Sequence, residues 1–146
     1  MDNLVIRNLQ IDDAAAISRI FAAITKTEIK LDYKQVVEEQ IAADGATSFV
    51  AEIDGRVVGF MVCKIISSGF GLLEKSAWIV MFGIDPSFMG EGIGKKLAHE
   101  IFTICGKQGI KKIYSSVRWD SVDLLSFFKT LGFDRSNFIN LEKTLE

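Results

Sequence analysis

The sequence predicts a single α/β domain of the α+β kind, with about four helices on a mixed sheet of six to seven strands. Three observations lead there. Ala77 to Ile84 is a continuous apolar run, the pattern of a strand buried on both faces. It runs through Asp85-Pro86-Ser87-Phe88-Met89 into the glycine loop Gly90-Glu91-Gly92-Ile93-Gly94, which opens directly into a helix. Ile93, Leu97, Ile101, Ile104 and Cys105 recur at helical spacing over about Gly92 to Cys105, with Lys95, Lys96, His99 and Glu100 between them. Gly106 and Gly109 then mark a stop before a further strand, Lys111 to Val117. A helix between two buried strands is a right-handed crossover, so these two strands should lie parallel.

The other elements follow in order. Leu4 to Arg7 reads as a short strand, and Asp12 or Asp13 caps a helix whose stripe is Ile17, Ile20, Phe21 and Ile24. After a polar connector, Thr25 to Lys30, Asp32 caps a second helix with Tyr33, Val36, Val37 and Ile41 on one side, ended by Asp44-Gly45. Thr47 to Ile53 and Arg56 to Ile66 are strands joined by the hairpin turn Asp54-Gly55. The segment from Ser67 through Gly71 breaks the pattern, and Leu72 to Ser76 leads into the strand at Ala77. Asp120 or Ser121 caps a last helix, where Leu124, Phe127, Phe128 and Leu131 share a face and Gly132 ends it. Phe133 to Leu145 alternates weakly and should supply one or two final strands.

A chain of 146 residues fits one domain that buries roughly two thirds of its unfolded surface. With 49% hydrophobic and 25% charged residues, the composition is that of a globular protein and excludes disorder. A net charge of -2 supplies no field for polyanions, which argues against nucleic acid as a primary partner. Cys63 and Cys105 lack metal-ligand spacing and the chain has a single His, so both read as buried free thiols and no metal is expected. No apolar run reaches the ~20 residues of a membrane span, and the first residues lack a targeting pattern. A cytoplasmic protein without a membrane partner is the expectation.

The glycine loop suits an anion. Alternate glycines let the backbone approach a ligand with its N–H groups turned inward, and the helix start adds partial positive charge; pyrophosphate is the natural guest. Two common phosphate motifs fail on spacing. Counting G-x-G-x-x-G from Gly90 puts the third position on Lys95, and a P-loop needs Ser or Thr where Lys96 follows Gly94-Lys95. A nucleotide-binding protein is disfavoured accordingly.

The segment resembles motif A of the GNAT superfamily of acyl-CoA-dependent N-acyltransferases. There a strand ending V-x-P precedes Arg/Gln-x-x-Gly-x-Gly/Ala, and here the positions read Ile84-Asp85-Pro86 and Met89-Gly90-Glu91-Gly92-Ile93-Gly94. Met89 stands where the family usually has Arg or Gln. The element order β-α-α-β-β-β-α-β-α-β is also the family's, so the likeness spans the chain. The family's later pattern, Asn-x-x-Ala-x-x-hydrophobic-Tyr-x-x-x-Gly-Phe, maps onto Ser121, Leu124, Phe127, Phe128, Gly132 and Phe133; Ser121 replaces Asn, Leu124 replaces Ala and Phe128 replaces Tyr.

The resemblance implies a GNAT-like domain over residues 1–146, with its parallel strand pair splayed at the cofactor site and the pantetheine arm of acetyl-CoA added there like a partial strand. Main-chain groups of Phe82 and Ile84 would face pantetheine. Those of Gly90, Glu91, Gly92, Ile93, Gly94 and Lys95 would face the pyrophosphate, with Met89 beside them and Ser121 and Phe128 flanking the arm. The implied activity is acetyl transfer to a primary amine of a small molecule or protein. The rival is an acyl-CoA-binding sensor or interaction module that has lost catalysis, suggested by Met89, Ser121 and Phe128.

Acylation of an amine needs a neutral nucleophile, a polarised carbonyl and a proton for the departing thiolate. Phe128 deletes the hydroxyl that the family's Tyr offers, which leaves Asp120, Ser126, Glu74 and Tyr114 as candidates for proton relay. Each has a plainer reading: N-cap, solvated helix position, loop charge and strand aromatic. His99 falls on the polar face of its helix with Lys95, Lys96 and Thr103. Trp78 reads as core, and Phe82 as either core or acceptor-pocket wall. The acceptor is not legible, and a homodimer formed through the final strands stays open.

Overall fold

The computed structural model describes residues 3–25, 32–67 and 74–146. Among them five strands form one sheet, arranged in space as in sequence: β1 (Leu4–Asn8), β2 (Phe49–Ile53), β3 (Arg56–Ile66), β4 (Ser76–Ile84) and β5 (Ile113–Ser115). The first four pair antiparallel, and β4 and β5 run parallel, as the crossover requires. Four α-helices accompany them: α1 (Ala14–Thr25), α2 (Tyr33–Asp44), α3 (Ile93–Lys107) and α4 (Val122–Thr130). The chain falls into two compact units, Met1–Ser116 with the sheet and α1 to α3, and Val117–Glu146 with α4.

The two faces of the sheet are filled differently. On one, Ile17 and Ile20 of α1 and Tyr33 and Val37 of α2 pack with Val50, Phe60 and Val62. On the other, Ile93, Leu97, Ile101 and Cys105 of α3 are buried. Close approach is built in at Gly83, where a Cβ would lie 2.9 Å from the Phe60 ring and 3.3 Å from Ile20 Cγ2. A Cβ there would force the Phe60 ring and Ile20 to shift.

The β2–β3 hairpin turns on Asp54 (φ 51°) and Gly55 (φ 82°), the left-handed pair that a two-residue turn needs. Asp32 caps α2 as expected, its Oδ1 accepting from the Gln35 N–H at 3.1 Å. The start of α1 differs from expectation. Ile11–Asp13 form a 3-10 turn ahead of it, and Asp13 accepts from the Gln10 N–H at 2.7 Å and from both Arg7 Nη atoms at 2.8 and 2.9 Å. Glu52 takes Arg7 Nε at 3.0 Å, and these carboxylates, Asp13 foremost, raise the Arg7 pKa against the opposing pull of burial. Ile24, expected on the buried stripe, is 37% exposed because it sits in the last turn of α1.

Six to seven strands were expected, and the described residues form a sheet of five. Residues 133–146 contain no strand, and Ile139, Leu141 and Leu145 are exposed. Weak alternation gives that segment no consistently apolar face to bury, so it lacks what sets a strand's register. β5 is also shorter than Lys111 to Val117. Gly106 continues α3 rather than stopping it, and Gly109, at φ 76°, makes the left-handed exit. Residues 26–31 and 68–73, which hold most of the polar connector and of the segment before β4, lie outside the described residues.

Candidate functional site

The site is set by the direction of backbone groups along β4. Before its midpoint the strand bonds to β5: the Ala77 N–H donates to the Lys112 carbonyl at 3.2 Å, and the Ser115 hydroxyl donates to the Ile79 carbonyl at 3.0 Å. After Ile79 the pairing with β5 ends. Opposite β3 the register slips here, with Met81 facing Val62 and Ile79 facing Cys63, so Val80 is an extra residue. This is a β-bulge, and it inverts the alternation of backbone direction. The Asp85 N–H donates to the Val58 carbonyl at 2.8 Å, which makes Gly83 and Met81 the next residues bonded to β3. Phe82 and Ile84 therefore turn their N–H and C=O groups to the edge that β5 has left.

That edge leads straight into the glycine turn. Asp85 accepts from the Ser87 N–H at 3.0 Å and closes the 3-10 turn Pro86–Phe88, and Arg56 lies 3.6 Å from its other oxygen. Gly90 (φ 81°) and Gly92 (φ 80°) then adopt left-handed conformations that a side chain would strain, and Gly92 is the N-cap of α3. No side chain caps this helix. Its first intrahelical bond runs from the Lys96 N–H to the Gly92 carbonyl, so the preceding N–H groups, to Lys95, have no helical acceptor. Gly94 is helical and buried, which leaves the positive-φ work to two of the three glycines.

One continuous stretch of backbone thus carries Phe82, Ile84, Met89, Gly90, Glu91, Gly92, Ile93, Gly94 and Lys95. Met89 is 55% exposed at the outer end of the loop. Tyr114 is half-buried and stacks on Trp78, its register partner, at 4.7 Å and 23°. The Trp78 indole N–H donates to Ser76 Oγ at 3.0 Å, in keeping with its reading as a packing residue. Glu74 is exposed. His99 is also exposed, its ring edge-on to Phe102 at 5.8 Å.

The second unit holds the remaining candidates. Ser121 is the N-cap residue of α4 without a side-chain capping bond, and Ser126 is exposed. Asp120 accepts two hydrogen bonds from Arg118, at 3.0 and 2.9 Å, and this partner holds its carboxyl below the usual range. A carboxylate so held is a poor proton donor near neutrality. Phe128 is buried and meets Phe127 at 5.4 Å and Phe133 at 5.0 Å, both edge-on.

Three features escaped sequence reasoning: the bulge at Val80, the Ser115 hydroxyl, and the side chains that complete β3 where β2 has ended. There the Cys63 carbonyl accepts from Gln40 Nε2 at 2.6 Å and Thr47 Oγ1 at 2.9 Å, and its N–H donates to Ser48 Oγ at 3.0 Å. Only Ser115 carried a signal, as a hydroxyl in the middle of an expected apolar strand. Among the described residues no cluster of His, Cys, Asp or Glu could hold a metal ion, and no helix is long and apolar enough to cross a membrane.

The parallel pair of the mixed sheet thus parts beside an uncapped, glycine-led helix. Residues 14–133 match the Acetyltransferase (GNAT) family, and the chain belongs to it. An uncharacterized N-acetyltransferase of Methanocaldococcus jannaschii is 30% identical over 93 residues, covering 62% of this chain and 40% of that protein. The chain thus spans about two fifths of the length of this curated relative. Among solved structures, an aminoglycoside acetyltransferase from an uncultured soil metagenomic sample, in complex with trehalose, has a TM-score of 0.82 at 17% identity, over 99% of this chain and 98% of that one. Aminoglycoside N-acetyltransferase AAC(6')-Iy in complex with CoA also has a TM-score of 0.82, at 17% identity, over 97% and 94%. Ard1 from Thermoplasma volcanium has a TM-score of 0.77 at 25% identity, over 92% and 84%.

Proposed function

We propose that residues 1–146 act as one N-acyltransferase domain that moves an acetyl group from acetyl-CoA to a primary amine of a small molecule or protein. The observation that carries this reading is the stretch of β4 beyond Ile79, where pairing with β5 ends, running into the N–H groups at the start of α3 that have no helical acceptor. The pantetheine amides would pair with the edge as a strand does, and the pyrophosphate would take the N–H groups from Gly90 to Lys95. These contacts hold the thioester by backbone alone, which suits a loop whose side chains depart from the family pattern at Met89. The CoA-bound neighbour supports acetyl-CoA as the donor, and the aminoglycoside acetyltransferases support an amine as the acceptor.

In the reaction the neutral amine attacks the thioester carbonyl, a C–N bond forms, the C–S bond breaks, and the thiolate of CoA leaves. A thiol pKa of about 8.5 makes that thiolate a tolerable leaving group near neutrality. Phe128, at the family's tyrosine position, supplies no proton. Solvent therefore protonates the thiolate and takes the proton lost by the amine.

The second reading, a CoA-binding module without transfer, is favoured by that same Phe128. Thiol release from acetyl-CoA across a panel of primary amines decides between them. Amine-dependent release above the hydrolysis rate is expected. CoA binding without release for any amine, protein N-termini and lysines included, would establish the module instead.

A further inference from the structure

The only two cysteines of the chain lie on different elements and meet in the core. Along β3, alternation puts Gly59, Met61 and Cys63 on one face. Gly59 sets that face against α3, since a Cβ there would lie 3.3 Å from Ile93 Cγ2. α3 leads back from the end of β4 to the parallel β5, so it runs in the direction of β3. Its buried residues Ile93, Leu97, Ile101 and Cys105, four apart, therefore track along β3 from Gly59 toward Cys63. Cys63 is 0% and Cys105 1% exposed, and their free thiols hydrogen-bond to each other.

Two thiols in contact have a chemistry that neither has alone: one can be oxidised and the other can resolve it. Their hydrogen bond makes them unequal. It lowers the pKa of Cys105, against the opposing effect of burial, so Cys105 is the readier thiolate. Access differs in the same sense. Cys63 is held in the sheet by Gln40, Thr47 and Ser48, which bond its carbonyl and N–H. Cys105 lies in the last turn of α3 and is followed by Gly106, where an added Cβ would meet no atom within 4 Å. Helix ends open locally at little cost, which admits an oxidant of about the size of water and excludes bulky disulfides such as oxidised glutathione.

We propose that Cys63 and Cys105 are a redox modification site, at which hydrogen peroxide forms an intramolecular disulfide that ties α3 to β3. The Cys105 thiolate attacks one peroxide oxygen: an S–O bond forms, the O–O bond breaks, and the departing hydroxide takes a proton to become water. The Cys63 sulfur then attacks the sulfenic sulfur of Cys105: an S–S bond forms, the S–O bond breaks, and the oxygen leaves as a second water. Two thiols lose two electrons and two protons, and one peroxide is reduced to two waters. Because the sulfurs already touch, the second step needs no encounter, which spares the sulfenic acid from further oxidation. The inference does not rest on the acyl-transfer reading, since thiol oxidation needs no acyl donor.

The test exposes the whole reduced chain to a small excess of hydrogen peroxide at neutral pH, alkylates the remaining thiols in urea, and measures the intact mass. The reduced chain should take up two alkyl groups and the oxidised chain none. Tryptic digestion should give Val57–Lys64 joined to Leu97–Lys107, and dithiothreitol should separate them. C63S removes the resolving thiol, so dimedone should capture a sulfenic acid at Cys105 in this variant and several-fold less in wild type. The wild-type arms stand whether or not C63S folds. Two unreacted thiols in the folded chain, sulfinic or sulfonic acid without the cross-link, a cross-link between two chains, or equal dimedone capture in wild type and C63S would each overturn the proposal.

Discussion

The Ser115 hydroxyl donates a 3.0 Å hydrogen bond to the Ile79 carbonyl at the last rung where β4 and β5 pair. One residue later the Val80 bulge turns β4 away, so this bond closes the parallel ladder just where the strands part. Ser115→Ala should leave the carbonyl to solvent and lower stability by about 1 kcal/mol, while Ser115→Thr, which keeps a hydroxyl, should lose less. Urea midpoints of the three proteins measure this. Equal midpoints for alanine and wild type would show that the side-chain bond contributes nothing to closing the ladder.

The glycine loop separates backbone strain from ligand contact. Gly92 and Gly109 both have φ near 80°, at opposite ends of α3, and a Cβ at either would meet no atom within 4 Å. Valine at each should therefore cost similar stability, about 1–3 kcal/mol, through the backbone alone. Only Gly92→Val should also weaken CoA binding, at least roughly tenfold, because the branched side chain stands where phosphate approaches the α3 N–H groups. Calorimetry with CoA on both folded variants gives the comparison. Equal affinities would mean that the pyrophosphate sits elsewhere.

What could be read in the sequence was whatever a local period encodes. The Asp54-Gly55 turn, the α3 stripe and the strand-to-loop-to-helix passage at Ile84 to Ile93 each show themselves within about ten residues. The Val80 bulge does not, because a continuous apolar run carries no period of two in which a slipped register would be visible. Its existence depends on how β3 and β4 pair, a relationship between distant residues. The same holds for Gln40, Thr47 and Ser48, whose partner at Cys63 lies across the sheet. The final strands failed for a different reason: the weak alternation of residues 133–146 offers no consistently apolar face to bury.

Tyr33 predicts a pH dependence with a definite sign. Burial raises its pKa above the ordinary value near 10, so on titration the unfolded chain loses this proton before the folded one. With fewer protons bound in the unfolded state, stability is full below about pH 10 and falls as pH rises toward the folded pKa. Phe in place of Tyr has no proton to lose. Y33F should therefore show a shallower fall in urea midpoint above about pH 10 than wild type. Parallel curves for the two proteins would show that the phenol is hydrated in the fold.

Met89 is the clearest departure from the family pattern, and its position makes the consequence measurable. It adopts an extended backbone at the end of the Pro86–Phe88 turn, with φ −67° and ψ 150°, and is 55% exposed. A longer side chain there meets solvent rather than core, so Met89→Arg should fold normally. Its neighbours in the loop include Glu91, whose charge opposes a bound phosphate, and Lys95 and Lys96, which favour one. Adding a guanidinium shifts this balance toward the anion. A solvent-screened contact of this kind contributes about 0.5–1 kcal/mol, so CoA should bind a few-fold tighter, and more so at low salt than at high. The salt dependence separates this account from a packing effect: a gain that persists unchanged at high salt would come from the stem of the arginine against the cofactor, whereas weaker binding would show that the thioether itself packs on CoA.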